Sequence, residues 1–142
     1  MEIKNEFIPY EQALALKELG FNEPCFGWFR STLIPSNFTE FFLETEFGMN
    51  ESPSDWVNSN FLDKACSAPL YQQAFRWFRE KHEIEATTSC FYSKRLDIPY
   101  EERQYHCHII RDGVTSKGPK YKTYEEAELE CLKKLIEIVK QK

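Results

Sequence analysis

The pair Asp112-Gly113 separates two segments in which apolar and polar residues alternate, and this pattern constrains the fold more than any other feature. Residues 104–111 alternate before the pair, and a shorter segment follows it from residue 114 to about residue 117. Asp-Gly is favoured in two-residue hairpin turns because both of its residues adopt a positive φ there. The pair therefore predicts two antiparallel strands joined by a tight turn.

Helices flank the predicted hairpin. Apolar residues at i, i+3, i+4 and i+7 predict a core-facing helix over 70–81. A capping box of sequence T-Y-E-E begins a second helix over 123–140, and an alternating segment over 84–92 predicts a further strand. Residues 68–142 thus have the order α-β-β-β-α. The predicted fold class is α+β, with a small antiparallel sheet packed against helices.

The first half of the chain contributes fewer clear elements. Pro9 and Gly20 predict the start and the end of a helix, and residues 25–33 predict a strand. We expect both to add to the core of the second half. The length predicts a single α+β domain, 1–142, with a sub-module boundary near 49–67, where the composition is that of a loop.

Two interpretations of residues 34–60 stay open. Asn37 and Glu40 have the spacing of a capping pair and favour a short helix. The aromatic residues that follow also suit an irregular strand with Phe41 and Leu43 directed inward.

The acidic residues are concentrated in the first half. Residues 1–67 contain four Lys/Arg and eleven Asp/Glu, a formal charge of −7, whereas residues 68–142 carry +2. A charge of −7 repels nucleic acids and acidic membranes at long range. It is interpreted either as an ordinary solvated surface or as an acidic face for a basic partner. No apolar segment has the length of a signal peptide or a membrane span, so we expect no membrane association.

The chain has five cysteines and no C-x-x-C motif: Cys25, Cys66, Cys90, Cys107 and Cys131. An odd, widely spread set is typical of reduced thiols in a cytoplasm. The last three fall on predicted core faces, so we expect buried, unreactive thiols and no nucleophile. No hydrolase or nucleotide-binding motif is present, and we predict no catalytic residue and no cofactor.

His106 and His108 are the candidate metal ligands, because alternate residues of a strand point to the same side. The sequence places no third ligand near them, so we predict that no metal is bound. Basic residues beside aromatic ones are candidate contacts to a nucleic acid. Five residues have this setting: Arg76, Arg79, Lys117, Lys120 and Lys122.

Three segments carry a resemblance. They are I-P-Y-E-Q-A-L-A-L-K-E-L-G-F-N-E-P-C-F-G (8–27), A-P-L-Y-Q-Q-A-F-R-W-F-R-E-K-H (68–82) and Y-K-T-Y-E-E-A-E-L-E-C-L-K-K-L-I-E (121–137). Together they cover over a third of the chain, and they resemble small uncharacterised proteins of bacterial, phage and prophage genomes. The resemblance implies a genomic context and no particular activity.

A second resemblance rests on the order of elements in residues 68–142 and on the run D-G-V-T-S-K-G-P-K-Y-K. Both are similar to double-stranded-RNA-binding domains, the run to their third strand and the loop after it. This resemblance implies phosphate contacts from lysines at the start of the final helix. That turn reads T-Y-E-E-A-E here, acidic where the family is basic.

We therefore expect a non-enzymatic cytoplasmic protein of phage or mobile-element type, which binds a protein partner through its acidic first half. The alternative is a nucleic-acid-binding module with a fold like that of double-stranded-RNA-binding domains. A metal- or thiol-dependent enzyme is the third interpretation. The identity of the partner and the oligomeric state stay open.

Overall fold

The computed structural model describes residues 2–32, 38–43, 57–90 and 98–142. In these residues, three helices and six strands follow one another in a mixed α+β order. They are α1 (Tyr10–Glu18), β1 (Gly27–Thr32), β2 (Phe38–Leu43), β3 (Cys66–Ala68), α2 (Tyr71–His82), β4 (Glu85–Cys90), β5 (Tyr105–Arg111), β6 (Val114–Lys117) and α3 (Tyr124–Lys140).

The chain divides into two compact units, Met1–Gln73 (unit 1) and Ala74–Lys142 (unit 2). Each unit contains one three-stranded antiparallel sheet, with the order β2-β1-β3 in unit 1 and β4-β5-β6 in unit 2. The single domain over 1–142, with its boundary near 49–67, stays a prediction. Residues 49–56 of that boundary lie outside the described residues.

Helix α1 begins and ends where the sequence predicts. Pro9 is its N-cap, and Gly20 follows the C-cap with a φ of 97°. The Phe21 amide donates to the Leu16 carbonyl at 2.9 Å, and the Gly20 amide donates to the Lys17 carbonyl at 3.1 Å. These two hydrogen bonds form a Schellman motif, which satisfies carbonyl groups at the helix end that have no partner within the helix.

The sheet of unit 1 corrects two expectations. The helix interpretation of the segment after Asn37 is wrong for the described part, because residues 38–43 form β2 and pair with β1. Phe41 lies beside Phe29 with ring centroids 5.2 Å apart, which agrees with the strand interpretation. The run Ser67-Ala68-Pro69 predicts that the helix over 70–81 opens there, but Ser67 belongs to β3 and pairs with Trp28 of β1.

Unit 2 confirms the predicted order and hairpin. Asp112 and Gly113 have φ values of 50° and 75°, as a two-residue turn with positive φ at both positions requires. Helix α3 packs on β4 and β5. The Thr123 side chain caps this helix by accepting a hydrogen bond from the Glu126 amide at 3.1 Å. Its core-facing residues are Ala127, Cys131, Leu132, Leu135, Ile136 and Val139.

Candidate functional site

Three aromatic rings form a stack on one face of the unit 1 sheet. The Trp28 ring lies between Phe42 and Phe61, with centroid distances of 4.4 Å and 5.4 Å and an interplanar angle of 19° in both cases. All three side chains are partly exposed. We call this surface the aromatic face, and define it by these three residues together with Arg30 and Glu40.

Strand alternation explains why the aromatic face exists. Phe29 and Phe41 point to the other side of the sheet, where Phe29 is 2% exposed and its ring lies 5.8 Å from that of Tyr10 in α1. Successive strand residues point to opposite faces. An aromatic run in β1 and β2 therefore supplies both a buried core layer and a second aromatic layer that is partly open to solvent.

Charged and apolar groups extend the aromatic face. The Arg30 guanidinium pairs with the Glu40 carboxylate at 2.5 Å and lies 5.4 Å from the centroid of the Phe42 ring. Phe26 precedes β1 and is 54% exposed, and Leu62, next to Phe61 in the chain, is 82% exposed. Exposed large apolar side chains near a ring stack are more typical of a binding surface than of a solvated one.

The segment that carries Phe61 and Leu62 is held by one lysine. The Lys17 ammonium donates hydrogen bonds to the backbone carbonyls of Phe61, Asp63 and Ala65 at 3.0, 3.1 and 2.8 Å. The three carbonyls surround a turn in which Asp63 has a φ of 49°. Because Lys17 lies 44 to 48 residues away in the chain, sequence patterns contain no signal for this contact.

A buried asparagine holds the start of the same segment. The Asn58 side chain is 5% exposed. Its amide donates to the Phe21 carbonyl at 2.7 Å, and its oxygen accepts from the Ser67 amide at 2.9 Å. Asn58 therefore joins the end of α1 to β3, and it satisfies two backbone groups that are buried with it.

Unit 2 contains a groove between β6 and α3, which we call the β6–α3 groove. Its volume is about 440 Å³. The floor is formed by Cys107 and Ile109 of β5 together with Cys131 of α3, and residues 116–119 and Tyr121 form one wall. The opposite wall is α3, with Glu130, Lys133, Lys134, Glu137 and Ile138.

Cys107 and Cys131 are joined by a disulfide, which corrects the expectation that all five cysteines are reduced. The two Cα atoms are 5.6 Å apart, within the range that a disulfide spans. Both residues lie on core faces, as the sequence predicts, and the packing of α3 on β5 places these faces opposite each other. The bond joins β5 to α3 in the floor of the β6–α3 groove.

Cys25 and Cys66 remain thiols and are buried, as predicted. Burial raises the pKa of both thiols to about 12. Since the thiolate is the reactive form of cysteine, both side chains are inert near neutral pH. Cys90 is also a thiol, but it is only partly buried, so its predicted burial on a core face is wrong.

His106 and His108 do point to the same side of β5. Their Nε2 atoms are 2.5 Å apart, whereas two nitrogens bound to one tetrahedral zinc lie about 3.3 Å apart. Burial lowers the pKa of His106, and the charges of His108, Lys117 and Lys120 lower it further. Those charges also oppose a bound cation. Among the described residues, no group of three or more His, Cys, Asp or Glu side chains is arranged to hold a metal ion.

The five predicted nucleic-acid contacts are all exposed. Arg76 and Arg79 lie on α2, Lys117 ends β6, and Lys120 and Lys122 lie in the loop before α3. Lys117 and Lys120 are near enough to His106 to lower its pKa. The first turn of α3 that follows is acidic, as the sequence indicates.

Comparison of the chain with protein-family models, with curated proteins and with solved structures found no match. The similarity to phage and prophage proteins therefore stays a prediction. In the part of the chain that the structure describes, none of the helices combines the length and the apolar character that crossing a membrane requires.

Proposed function

We propose that this protein acts by binding another protein through the aromatic face of unit 1 and that it does not itself catalyse a reaction. The observation that carries this proposal is the partly exposed stack of Phe42, Trp28 and Phe61. Aromatic residues and arginine are enriched in protein interfaces and dominate their binding energy. Phe26 lies two residues before Trp28 in the chain and Leu62 directly after Phe61, and both of these large apolar side chains are exposed.

The charge of the first half supports a basic partner. Residues 1–67 carry a formal charge of −7, and five of the acidic side chains in the described part are exposed: Glu2, Glu6, Glu11, Glu18 and Asp63. Such a field speeds the approach of a positively charged protein and repels nucleic acids. The predicted similarity to phage and prophage proteins extends the proposal to a cytoplasmic protein of mobile-element type.

The test is direct binding to a partner first captured from a bacterial lysate and identified by mass spectrometry. Calorimetry with the purified partner compares the wild type with the double variant Phe26→Ser/Leu62→Ser. We expect at least about tenfold weaker binding, or about 1.4 kcal/mol. Both side chains are exposed, so the fold tolerates their replacement.

Ile3→Ser is the matched control, because Ile3 is 63% exposed in the same unit and lies outside the aromatic face. It should bind as the wild type does. If the control and the double variant weaken binding equally, or if neither changes it, the partner does not bind the aromatic face and the proposal fails.

The alternative function, nucleic-acid binding by unit 2, is favoured by the proximity of Lys117 and Lys120 to His106. Anisotropy with a short RNA duplex tests it. We expect only non-specific binding, at roughly 10⁻⁴ to 10⁻⁶ M at physiological salt. Sub-micromolar binding that is abolished by Lys120→Glu/Lys122→Glu would place this alternative above protein binding.

A further inference from the structure

Strand β6 lies at the edge of its sheet, beside the β6–α3 groove. In the described residues it pairs with β5 alone, and all four of its residues are exposed. An edge strand presents backbone donors and acceptors along its open side, and extended segments of other chains pair with such edges. The open side of β6 is therefore a place where a further strand can add.

The register of the hairpin identifies a residue that faces this open side. Arg111 pairs with Val114 around the two-residue turn, and the Gly118 amide donates to the Cys107 carbonyl at 2.8 Å. Hydrogen-bonded pairs alternate with non-hydrogen-bonded pairs in an antiparallel ladder. Thr115 lies at a non-hydrogen-bonded position by this alternation, so its amide and carbonyl groups point away from β5.

The groove lies on one face of the sheet, and a strand added to β6 would direct every second side chain to that face. Ser116 pairs with Ile109, and both line the groove, as does Cys107, which bonds to α3. Every second side chain of a strand paired with β6 would point to this face. There it would meet the apolar side chain of Ile138 in α3, which lines the groove and is only partly buried.

Charge favours an acidic segment through the other face of the sheet. Lys117 pairs with His108 and therefore points to the side opposite the groove, and Lys117 and Lys120 both lie near enough to His106 to lower its pKa. Residues 114–122 contain three lysines and no acidic residue. The side chains of an added strand that do not enter the groove would point to this positively charged face, which favours acidic residues at those positions.

We propose that unit 2 binds an extended acidic peptide segment of a partner protein, which pairs with β6 and directs alternate apolar side chains into the β6–α3 groove. Backbone hydrogen bonds along the strand supply affinity, and the groove and the lysines supply selectivity. The Cys107–Cys131 disulfide joins β5 to α3 in the floor and keeps the groove formed before the peptide arrives. This site is separate from the aromatic face of unit 1.

The experiment selects peptides from a random library displayed on phage, with the full chain as bait. Synthetic copies of the enriched peptides are then measured by fluorescence anisotropy. We expect enriched sequences in which apolar residues alternate and acidic residues exceed basic ones. Failure to enrich any such sequence overturns the proposal.

Thr115→Pro is the informative variant, because it removes an amide on the open side of β6 and leaves the ladder to β5 intact. We expect this variant to bind the enriched peptides at least about tenfold more weakly than the wild type does. Thr115→Val changes the same side chain and keeps the amide, so it should bind as the wild type does. Equal binding to the two variants overturns the proposal.

Charge reversal separates this site from other occupants. Lys117→Glu/Lys120→Glu should weaken the binding of the enriched peptides, whereas the matched double variant Arg76→Glu/Arg79→Glu on α2 should leave their binding unchanged. Loss of binding in Phe26→Ser/Leu62→Ser instead would assign the peptides to the aromatic face. A dimer that becomes monomeric in Thr115→Pro would assign β6 to pairing with a second copy. Either result overturns the proposal and leaves the function of unit 1 to its own test.

Discussion

Replacing Lys17 with Met should loosen the segment that carries Phe61 and Leu62. The variant keeps most of the apolar stem of the side chain and removes the ammonium group. Three backbone carbonyls, at residues 61, 63 and 65, then lose a charged donor that lies 2.8 to 3.1 Å from them. The change acts on the loop that completes the aromatic face, so it links the stability of unit 1 to its proposed function.

The surroundings of the three carbonyls set the magnitude. The hydrogen bond to Asp63 is exposed, so water replaces the ammonium there at little cost. The bonds to Phe61 and Ala65 are partly buried, and each lost bond costs about 1 to 1.5 kcal/mol when its acceptor is only partly rehydrated. We expect Lys17→Met to lower the free energy of unfolding by about 2 to 3 kcal/mol.

Urea unfolding followed by tryptophan fluorescence measures this loss, since Trp28 stacks on Phe61. Lys64→Met is the matched control, because it removes an equal charge from the same segment and the Lys64 side chain is exposed. The control should change stability by less than about 0.5 kcal/mol. If Lys17→Met destabilises the protein no more than Lys64→Met does, the three hydrogen bonds do not hold the segment.

Three further predictions concern unit 2. Thiol titration of the unfolded, unreduced chain should find three thiols instead of five. Reduction of Cys107–Cys131, which are separated by 24 positions in the chain, should lower the free energy of unfolding by about 3 to 4 kcal/mol. Leu135→Ala should lower the free energy of unfolding by about 2 to 5 kcal/mol because Leu135 is fully buried, whereas Thr123→Ala should lower it by about 1 kcal/mol through the lost helix cap. Chemical denaturation that ranks the two variants in the opposite order would contradict the packing of α3. Burial, and then the charge of Lys142, lower the pKa of His82 from its ordinary value of 6.5, so protonation favours the unfolded chain and the free energy of unfolding should fall as the pH drops below 6.5. His82→Phe should flatten this pH dependence, and an unchanged slope would show that His82 does not cause it.

Elements that depend on local interactions were predictable from the sequence. The Schellman end of α1 at Gly20, the Asp112-Gly113 turn and the Thr123 cap each join residues at most five positions apart, and all three are present. The alternation in β5 also placed His106 and His108 together, because side-chain direction in a strand follows directly from position. Lys117 was predicted as a contact to a nucleic acid, which stays a prediction, and the β6–α3 groove beside it was not predicted.

The strand β2 shows where local signals were insufficient. The spacing of Asn37 and Glu40 favoured a helix, yet Glu40 lies in a strand and pairs with Arg30. Aromatic residues suit both elements, and pairing with β1 stabilises the strand through contacts between Phe41 and Phe29. Propensity over six residues is a weak preference that such long-range contacts readily override.

The disulfide and the two candidate binding surfaces depend on which elements face each other. Periodicity assigned Cys107 and Cys131 to core faces, and their bond required the packing of α3 on β5. Lys17 reaches carbonyls of a segment that has no pattern of its own. Periodicity reports which side of an element is buried, whereas these contacts depend on the distance and orientation between elements, which arise only when the whole chain packs.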